Sequence, residues 1–168
     1  MDTLRDLFVE ELKDLYHAEK QITKALPQMA KKATSDQLRK AFESHLKETE
    51  NQISRLEKVF KELDLTPKGK RCEGMEGIIQ EGKTMMQELD KSETLDAALI
   101  AAAQKVEHYE IASYGTVRTY AQQLNLKNAA NLLQETLEEE AATNEKLNDL
   151  AINQVNIEAM SGSKDENQ

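Results

Sequence analysis

Four glutamates occupy positions where the surrounding helical pattern favours an apolar side chain. At about 100° per residue, Glu19, Glu110 and Glu140 fall in the middle of apolar helical stripes. Glu48 falls at the edge of another stripe. Glu19 and Glu48 are 29 residues apart, and Glu110 and Glu140 are 30 apart. Two helical hairpins with this spacing would carry a glutamate at mid-length on each arm, so that the four carboxylates could meet at one level of a bundle.

Carboxylates gathered in a core of low dielectric constant repel one another and lose their hydration. They must therefore be protonated or be balanced by cations. Oxygen ligands with one or two nitrogens suit iron, manganese or zinc, and two divalent ions would neutralise four glutamates. This pattern predicts a site for two divalent metal ions, held by Glu19, Glu48, Glu110 and Glu140.

Two further residues are candidates for the same site, and two amides lie nearby. His45 precedes Glu48 by one turn, and it is either a nitrogen ligand or a hydrogen-bonded core histidine. Glu107 lies at a stripe edge and is either a ligand or a solvent-facing carboxylate. Gln52 and Asn144 point inward, where we expect amides to hold ligands in place by hydrogen bonds.

Ion pairing within the core is the simpler explanation for any one inward glutamate. The stripes offer few basic residues for such pairs, because Lys13, Lys20 and Lys24 fall on the outer face of the first helix. Four glutamates at matched heights therefore favour a metal site over a set of buried ion pairs.

The elements that position these residues are predicted to be long helices. The chain has 168 residues, of which 32% are charged, and contains six glycines and two prolines. These values and the 3.6-residue periodicity predict an all-α four-helix bundle. A link of about 29 residues joins the second and third long helices and carries its own short helix over residues 74–89. Such a link can cross the length of the bundle, which allows the second and third long helices to be parallel.

Three local signals refine this prediction. Pro27 lies inside the first helical pattern and predicts a kink or an early stop. Thr34 with Gln37 resembles a capping box at the start of the second helix. Residues 1–160 are predicted to form one domain, and residues 161–168 a disordered tail.

Charge and cysteine content exclude several classes of protein. A net charge of −9 argues against binding to nucleic acid or to an anionic membrane surface. A single cysteine, Cys72, excludes an internal disulfide and a cysteine-based zinc finger; we expect it to be a free surface thiol. The charged N-terminal sequence has no apolar signal region, so we expect a cytoplasmic protein.

Longer sequence blocks resemble a known family. The blocks are residues 14–21, 45–49, 105–115 and 137–140. They are similar to those of the ferritin-like superfamily, and most similar to its bacterial stress-associated proteins of the YciF/YciE type, over residues 3–157. The resemblance implies a ferritin-like bundle with a dinuclear metal centre, iron being the first choice. Glu19, Glu48, Glu110 and Glu140 match the four helix glutamates of that pattern, and Glu107 with Glu110 resembles the paired carboxylates of rubrerythrin-like members.

The chain departs from that pattern in its nitrogen ligands. Many ferritin-like centres have Glu-x-x-His on the second and fourth helices, whereas Asn51 and Thr143 stand at those positions here. Two functions remain open. One is an oxidoreductase that oxidises Fe(II) or reduces O₂ or peroxide during stress. The other is a non-catalytic stress protein that binds metal structurally or acts through a partner or through self-association. We expect a homodimer in either case.

Overall fold

The computed structural model describes residues 1–162, and these residues form an all-helical bundle. Its helices are α1 (Leu4–Lys32), α2 (Asp36–Glu62), α3 (Glu73–Glu88), α4 (Glu93–Gln123), α5 (Lys127–Leu150) and α6 (Asn156–Gly162), with a π-helical segment at Ala151–Val155. This confirms the four long helices and the short helix in the link. Helix α6 includes the first two residues of the predicted tail, and residues 163–168 lie outside the described residues.

The four long helices pack in the order α1–α2–α5–α4 around the bundle, and α3 lies across α1 and α4. Phe8 near the start of α1 shares an apolar cluster with Phe60 near the end of α2 and Ala121 near the end of α4. Leu26 and Leu99 lie together in the cluster at the opposite end. Helices α2 and α4 therefore run parallel, which the length of the link allows.

Polar side chains divide the bundle core into these two apolar clusters. The clusters occupy opposite ends of the bundle. Between them lies a buried layer made of Glu19, His45, Thr49, Gln52, Glu107, Glu110, Thr136 and Glu140. The glutamates thus interrupt a core that is otherwise continuous along the helices.

Two predictions about helix ends are wrong. The N-cap of α2 is Ser35, whose side chain accepts a hydrogen bond from Leu38 N, and not Thr34. The backbone N–H groups of Thr34 and Ser35 donate instead to the buried carboxylate of Asp96 at 2.7 Å, so a tertiary contact fixes this turn. Of the kink and the early stop that were the alternatives at Pro27, the early stop is wrong, because α1 continues to Lys32.

Cys72 is buried, which corrects the expectation of a surface thiol. Its Sγ accepts a hydrogen bond from Met75 N and caps α3, and it lies 3.1 Å from Tyr109 Oη. Its backbone N–H donates to Nδ1 of the half-buried His17. Burial raises the pKa of the Cys72 thiol to about 11, so the thiol stays protonated at neutral pH.

No helix among residues 1–162 combines the length and the hydropathy that a membrane span requires.

Candidate metal centre

Each long helix brings at least one predicted site residue to the polar layer. Glu19 on α1, Glu110 on α4 and Glu140 on α5 are fully buried. Glu107, one turn before Glu110, is also buried, with 1% exposure, so its carboxylate faces the core and not solvent. His45 on α2 is buried as well.

Glu48 lies differently from the other glutamates. Its side chain is 40% exposed, and Oε2 lies 3.4 Å from His45 Nδ1, on the side of the ring that faces outward. Thr143 Oγ1 approaches the same oxygen at 3.4 Å. His45 lowers the pKa of Glu48, so this carboxylate is charged and can accept the Nδ1 proton of the imidazole.

The other nitrogen of His45 points at the buried carboxylates. Nε2 lies 3.2 Å from Glu107 Oε1 and 4.0 Å from Glu140 Oε2. One ligand atom from each of His45, Glu107, Glu110 and Glu140 lies within 4.8 Å of the others. This group of three carboxylates and one imidazole could hold a metal ion.

Glu19 lies beside this group and is held by a tyrosine. Tyr114 Oη donates a hydrogen bond to Glu19 Oε1 inside the core. Burial raises the pKa of Tyr114 well above its usual value, so the hydroxyl stays protonated and remains a donor. Sequence periodicity placed Glu19 inward, but the contact with Tyr114 depends on how α1 and α4 are aligned, and we did not predict it.

Several site atoms have no hydrogen-bond partner although they are buried. They are Glu19 Oε2, Glu107 Oε2, both carboxylate oxygens of Glu110, Glu140 Oε2 and His45 Nε2. Buried polar atoms are nearly always paired, because an unpaired one loses its hydration without compensation. Five carboxylate oxygens and one imidazole nitrogen in such a position fit a hard or borderline cation.

The electrostatics of the site point the same way. Burial, followed by the charges of Glu140 and Glu19, raises the pKa of Glu110 well above its usual value. Burial and the charge of Glu107 do the same to Glu140, and burial raises the pKa of Glu19 to about 7. Without a cation, these carboxylates hold protons at pH values at which ordinary glutamates are ionised.

His45 responds to the same carboxylates. Burial alone would lower its pKa, but the carboxylates of Glu107 and Glu48 that face its ring raise the pKa well above its usual value. A protonated His45 is thus part of the charge balance of the metal-free site, and a cation would have to displace the proton on Nε2.

A chain of side chains behind Glu140 fixes its position. Gln52 Nε2 donates to Glu140 Oε1 and to Glu139 Oε2, and Arg55 binds both oxygens of Glu139 at 2.7 and 2.6 Å. The predicted inward role of Gln52 agrees with this geometry. Asn144 accepts a hydrogen bond from Gln104 at 3.5 Å.

Comparison with known proteins identifies the family of this helical bundle. The model of a family described as "Domain of unknown function (DUF892)" matches residues 3–160. The chain therefore belongs to that family. Protein YciF of Escherichia coli is 52% identical over 160 residues, which cover 95% of this chain and 96% of that protein.

Solved structures agree with this assignment. The E. coli stress protein YciF has a TM-score of 0.89 at 53% identity, covering 93% of this chain and 99% of the other. YcfI of Rhodopseudomonas palustris, described as a proposed structural protein, has a TM-score of 0.84 at 47% identity, covering 88% and 94%. A Xanthomonas campestris protein shares the fold alone, with a TM-score of 0.74 at 19% identity over 99% and 100% of the two chains.

Proposed function

We propose that this chain is a ferritin-like stress protein that holds divalent metal ions, iron first, in the polar layer of its bundle. The observation that carries the proposal is the convergence of buried, unpaired carboxylate oxygens with Nε2 of His45. The relation to the E. coli stress protein YciF supports the stress context.

The proposed ligands of one ion are His45, Glu107, Glu110 and Glu140, whose ligand atoms already lie within 4.8 Å of one another. A second ion would use Glu19 Oε2 and the remaining oxygen of Glu110, both of which are buried and unpaired. Two divalent ions would balance the four buried carboxylates without requiring them to be protonated.

Glu48 has a different part in this proposal from the ligand role that the sequence pattern predicts. Its carboxylate accepts the Nδ1 proton of His45 at 3.4 Å and thereby leaves Nε2 free to bind a cation. Tyr114 orients Glu19, and Gln52 orients Glu140, in the same way. These contacts hold the ligands in place before an ion arrives.

The proposed activity is oxidation of Fe(II) or reduction of O₂ or peroxide. Two bound Fe(II) ions would supply two electrons, enough to reduce O₂ to peroxide or peroxide to water with protons drawn from solvent, and the protein would supply ligands and charge balance. Burial of the layer limits access of bulk water to the site.

Substitution of Glu110 tests this function. Glu110→Gln keeps the size of the side chain but removes a charge and an anionic ligand, so we expect Fe(II)-dependent consumption of O₂ or peroxide to fall at least about tenfold. The variant should fold, because a neutral amide is repelled less by Glu19 and Glu140 than a carboxylate is. The measurement is oxygen-electrode and peroxide-assay rates at matched iron loading.

Glu138→Gln is the matched control, since Glu138 is exposed on α5 and the substitution is the same. It should leave the rates unchanged. Equal rates in the wild-type protein and Glu110→Gln would refute the redox function.

A non-catalytic role is the second candidate. It is favoured by the single imidazole in the group of four possible ligands and by the structural role proposed for the related YcfI. In that case the protein would bind metal, and its melting temperature would fall on chelation, but it would consume neither O₂ nor peroxide with Fe(II).

A further inference from the structure

An open cavity lies between α2 and α5 and ends at the polar layer. Its volume is about 160 Å³, enough for several water molecules. Its outer part is lined by small or exposed side chains, Ser44, Ala142 and Lys146, and its inner part by His45 and Glu107. The cavity therefore connects solvent with two of the proposed metal ligands.

Polar groups line one part of the wall of this cavity, and apolar side chains that include Leu26, Phe42 and Leu147 line the rest. The half-exposed carboxylate of Glu48 lines the cavity together with the exposed Ser44, and it contacts the buried His45. Thr143 Oγ1 lies within 3.4 Å of the same carboxylate. An ion that loses water on the way inward would thus find oxygen atoms before it reaches the buried ligands.

We propose that this cavity is the route by which divalent cations reach the polar layer, with Glu48 as the first carboxylate that receives them. The proposal rests on the metal-binding function proposed above. It assigns to the half-exposed Glu48 a task that the fully buried Glu19, Glu110 and Glu140 cannot perform.

A second cavity reaches Glu107 from beneath α3, but it suits a hydrated cation poorly. Its volume is about 30 Å³, and its wall includes Ile78, Ile79, Met86 and Val106. An apolar wall offers no ligand to replace the water that a cation loses. This cavity is the competing route that the experiment must exclude.

Narrowing the outer opening tests the route. Ala142 is exposed on α5 and lines the cavity, so Ala142→Phe should obstruct it while leaving every proposed ligand intact. We expect the rate of Zn(II) uptake by the metal-free protein to fall at least about fivefold. The equilibrium affinity should stay the same, because an obstructed route slows uptake and release equally. Stopped-flow transfer of Zn(II) from a fluorescent indicator and titration calorimetry measure the two quantities.

Ala141→Phe is the matched control, because Ala141 is the neighbouring exposed residue and does not line the cavity. It should take up Zn(II) at the wild-type rate. A wild-type rate in Ala142→Phe would overturn the route. Slower uptake instead in Gly82→Leu, which changes an α3 residue that lines the second cavity, would also overturn it. Failure of the wild-type protein itself to bind Zn(II) would overturn the metal-binding function and the route with it.

A charge substitution provides a second test that does not depend on the larger side chain. Lys146 is exposed at the cavity opening and repels incoming cations. Lys146→Glu should speed Zn(II) uptake about two- to fivefold at low ionic strength, with an effect that shrinks as salt is added. Lys58→Glu makes the same change in net charge, but Lys58 lies about 15 Å along α2 from Glu48, at a rise of about 1.5 Å per residue. We expect this variant to take up Zn(II) at the wild-type rate. Equal rates in the two variants would contradict the route.

Discussion

Glu110 has both carboxylate oxygens buried and without a hydrogen-bond donor, and each of Glu19, Glu107 and Glu140 has one such oxygen. Each buried, unsatisfied polar atom costs on the order of 1–3 kcal/mol. Mutual repulsion adds to this cost when the carboxylates ionise. We therefore expect the polar layer to lower the free energy of unfolding of the metal-free protein, and a bound cation to raise it again.

The stability of the metal-free protein should fall as pH rises. The folded-state pKa of Glu19 is about 7, against 4.5 for an ordinary glutamate, and those of Glu110, Glu140 and His45 are also raised. A group whose pKa is raised by folding contributes its whole stabilisation below its unfolded-state pKa. That contribution is lost as pH rises through its folded-state pKa. Glu48 behaves in the opposite way, because its pKa is lowered by folding. Its contribution to stability is lost only as pH falls below the ordinary pKa of a glutamate.

Urea unfolding in the presence of a chelator at about pH 5.5 and about pH 8 measures this dependence. We expect a higher free energy of unfolding at the lower pH and a smaller difference when Zn(II) is present. Glu110→Gln should show a weaker pH dependence. Stability that stays level or rises with pH in the metal-free wild-type protein would contradict the electrostatic account.

The inward positions of Glu19, Glu110 and Glu140 could be predicted from helical periodicity alone, because each lies in the middle of an apolar stripe. Glu48 and Glu107 lie at stripe edges, where periodicity cannot decide. Packing decides there: α1, α3 and α5 cover α4 and leave Glu107 1% exposed, whereas Glu48, which lines the same open cavity, is 40% exposed.

At the level of elements, α3 is held against the bundle by a partly buried cluster at its N-terminus. Tyr109 donates a hydrogen bond to Asp14 at 2.8 Å, and its hydroxyl also contacts Cys72 Sγ. Gly74 lies so close to this ring that an added Cβ would stand 2.8 Å from Tyr109 Cε2. The crossover therefore needs a residue without a side chain at this contact.

A pair of glycine substitutions in α3 tests this contact. Gly74→Ala should lower the free energy of unfolding by about 1–3 kcal/mol, because Tyr109 is held by Asp14 and Cys72 and cannot move away freely. Gly77→Ala, whose added Cβ would meet nothing within 4 Å, should raise it by about 0.5–1 kcal/mol. Chemical denaturation of both variants supplies the comparison, and equal effects would show that the contact with Tyr109 does not matter.

The sequence allows the helices to be predicted, but not all of their ends. Ser92, which caps α4, is readable because a capping residue acts locally. Asn125 has a φ of 59° and Asp64 a φ of 57°, the left-handed conformation that ends a helix. Ser35 and Cys72 could not be identified as caps, because Asp96 and Tyr109, which fix the two turns, are distant in sequence.

Across the whole molecule, the polar layer lies between two apolar clusters at opposite ends of the bundle. All four long helices contribute to this layer, so a cation bound there would connect both helical hairpins. The metal site is thus expected to stabilise the fold as well as to carry chemistry. The homodimer remains a prediction, with sedimentation as its measurement.

Anomalous X-ray scattering from crystals soaked in Fe(II), Mn(II) or Zn(II) tests the central claim most directly. We predict anomalous peaks at bonding distance from Nε2 of His45 and from the carboxylates of Glu107, Glu110 and Glu140, and their loss in Glu110→Gln. A layer without a peak, in which the same carboxylates share protons with one another and Nε2 of His45 contacts Glu107, would contradict the account.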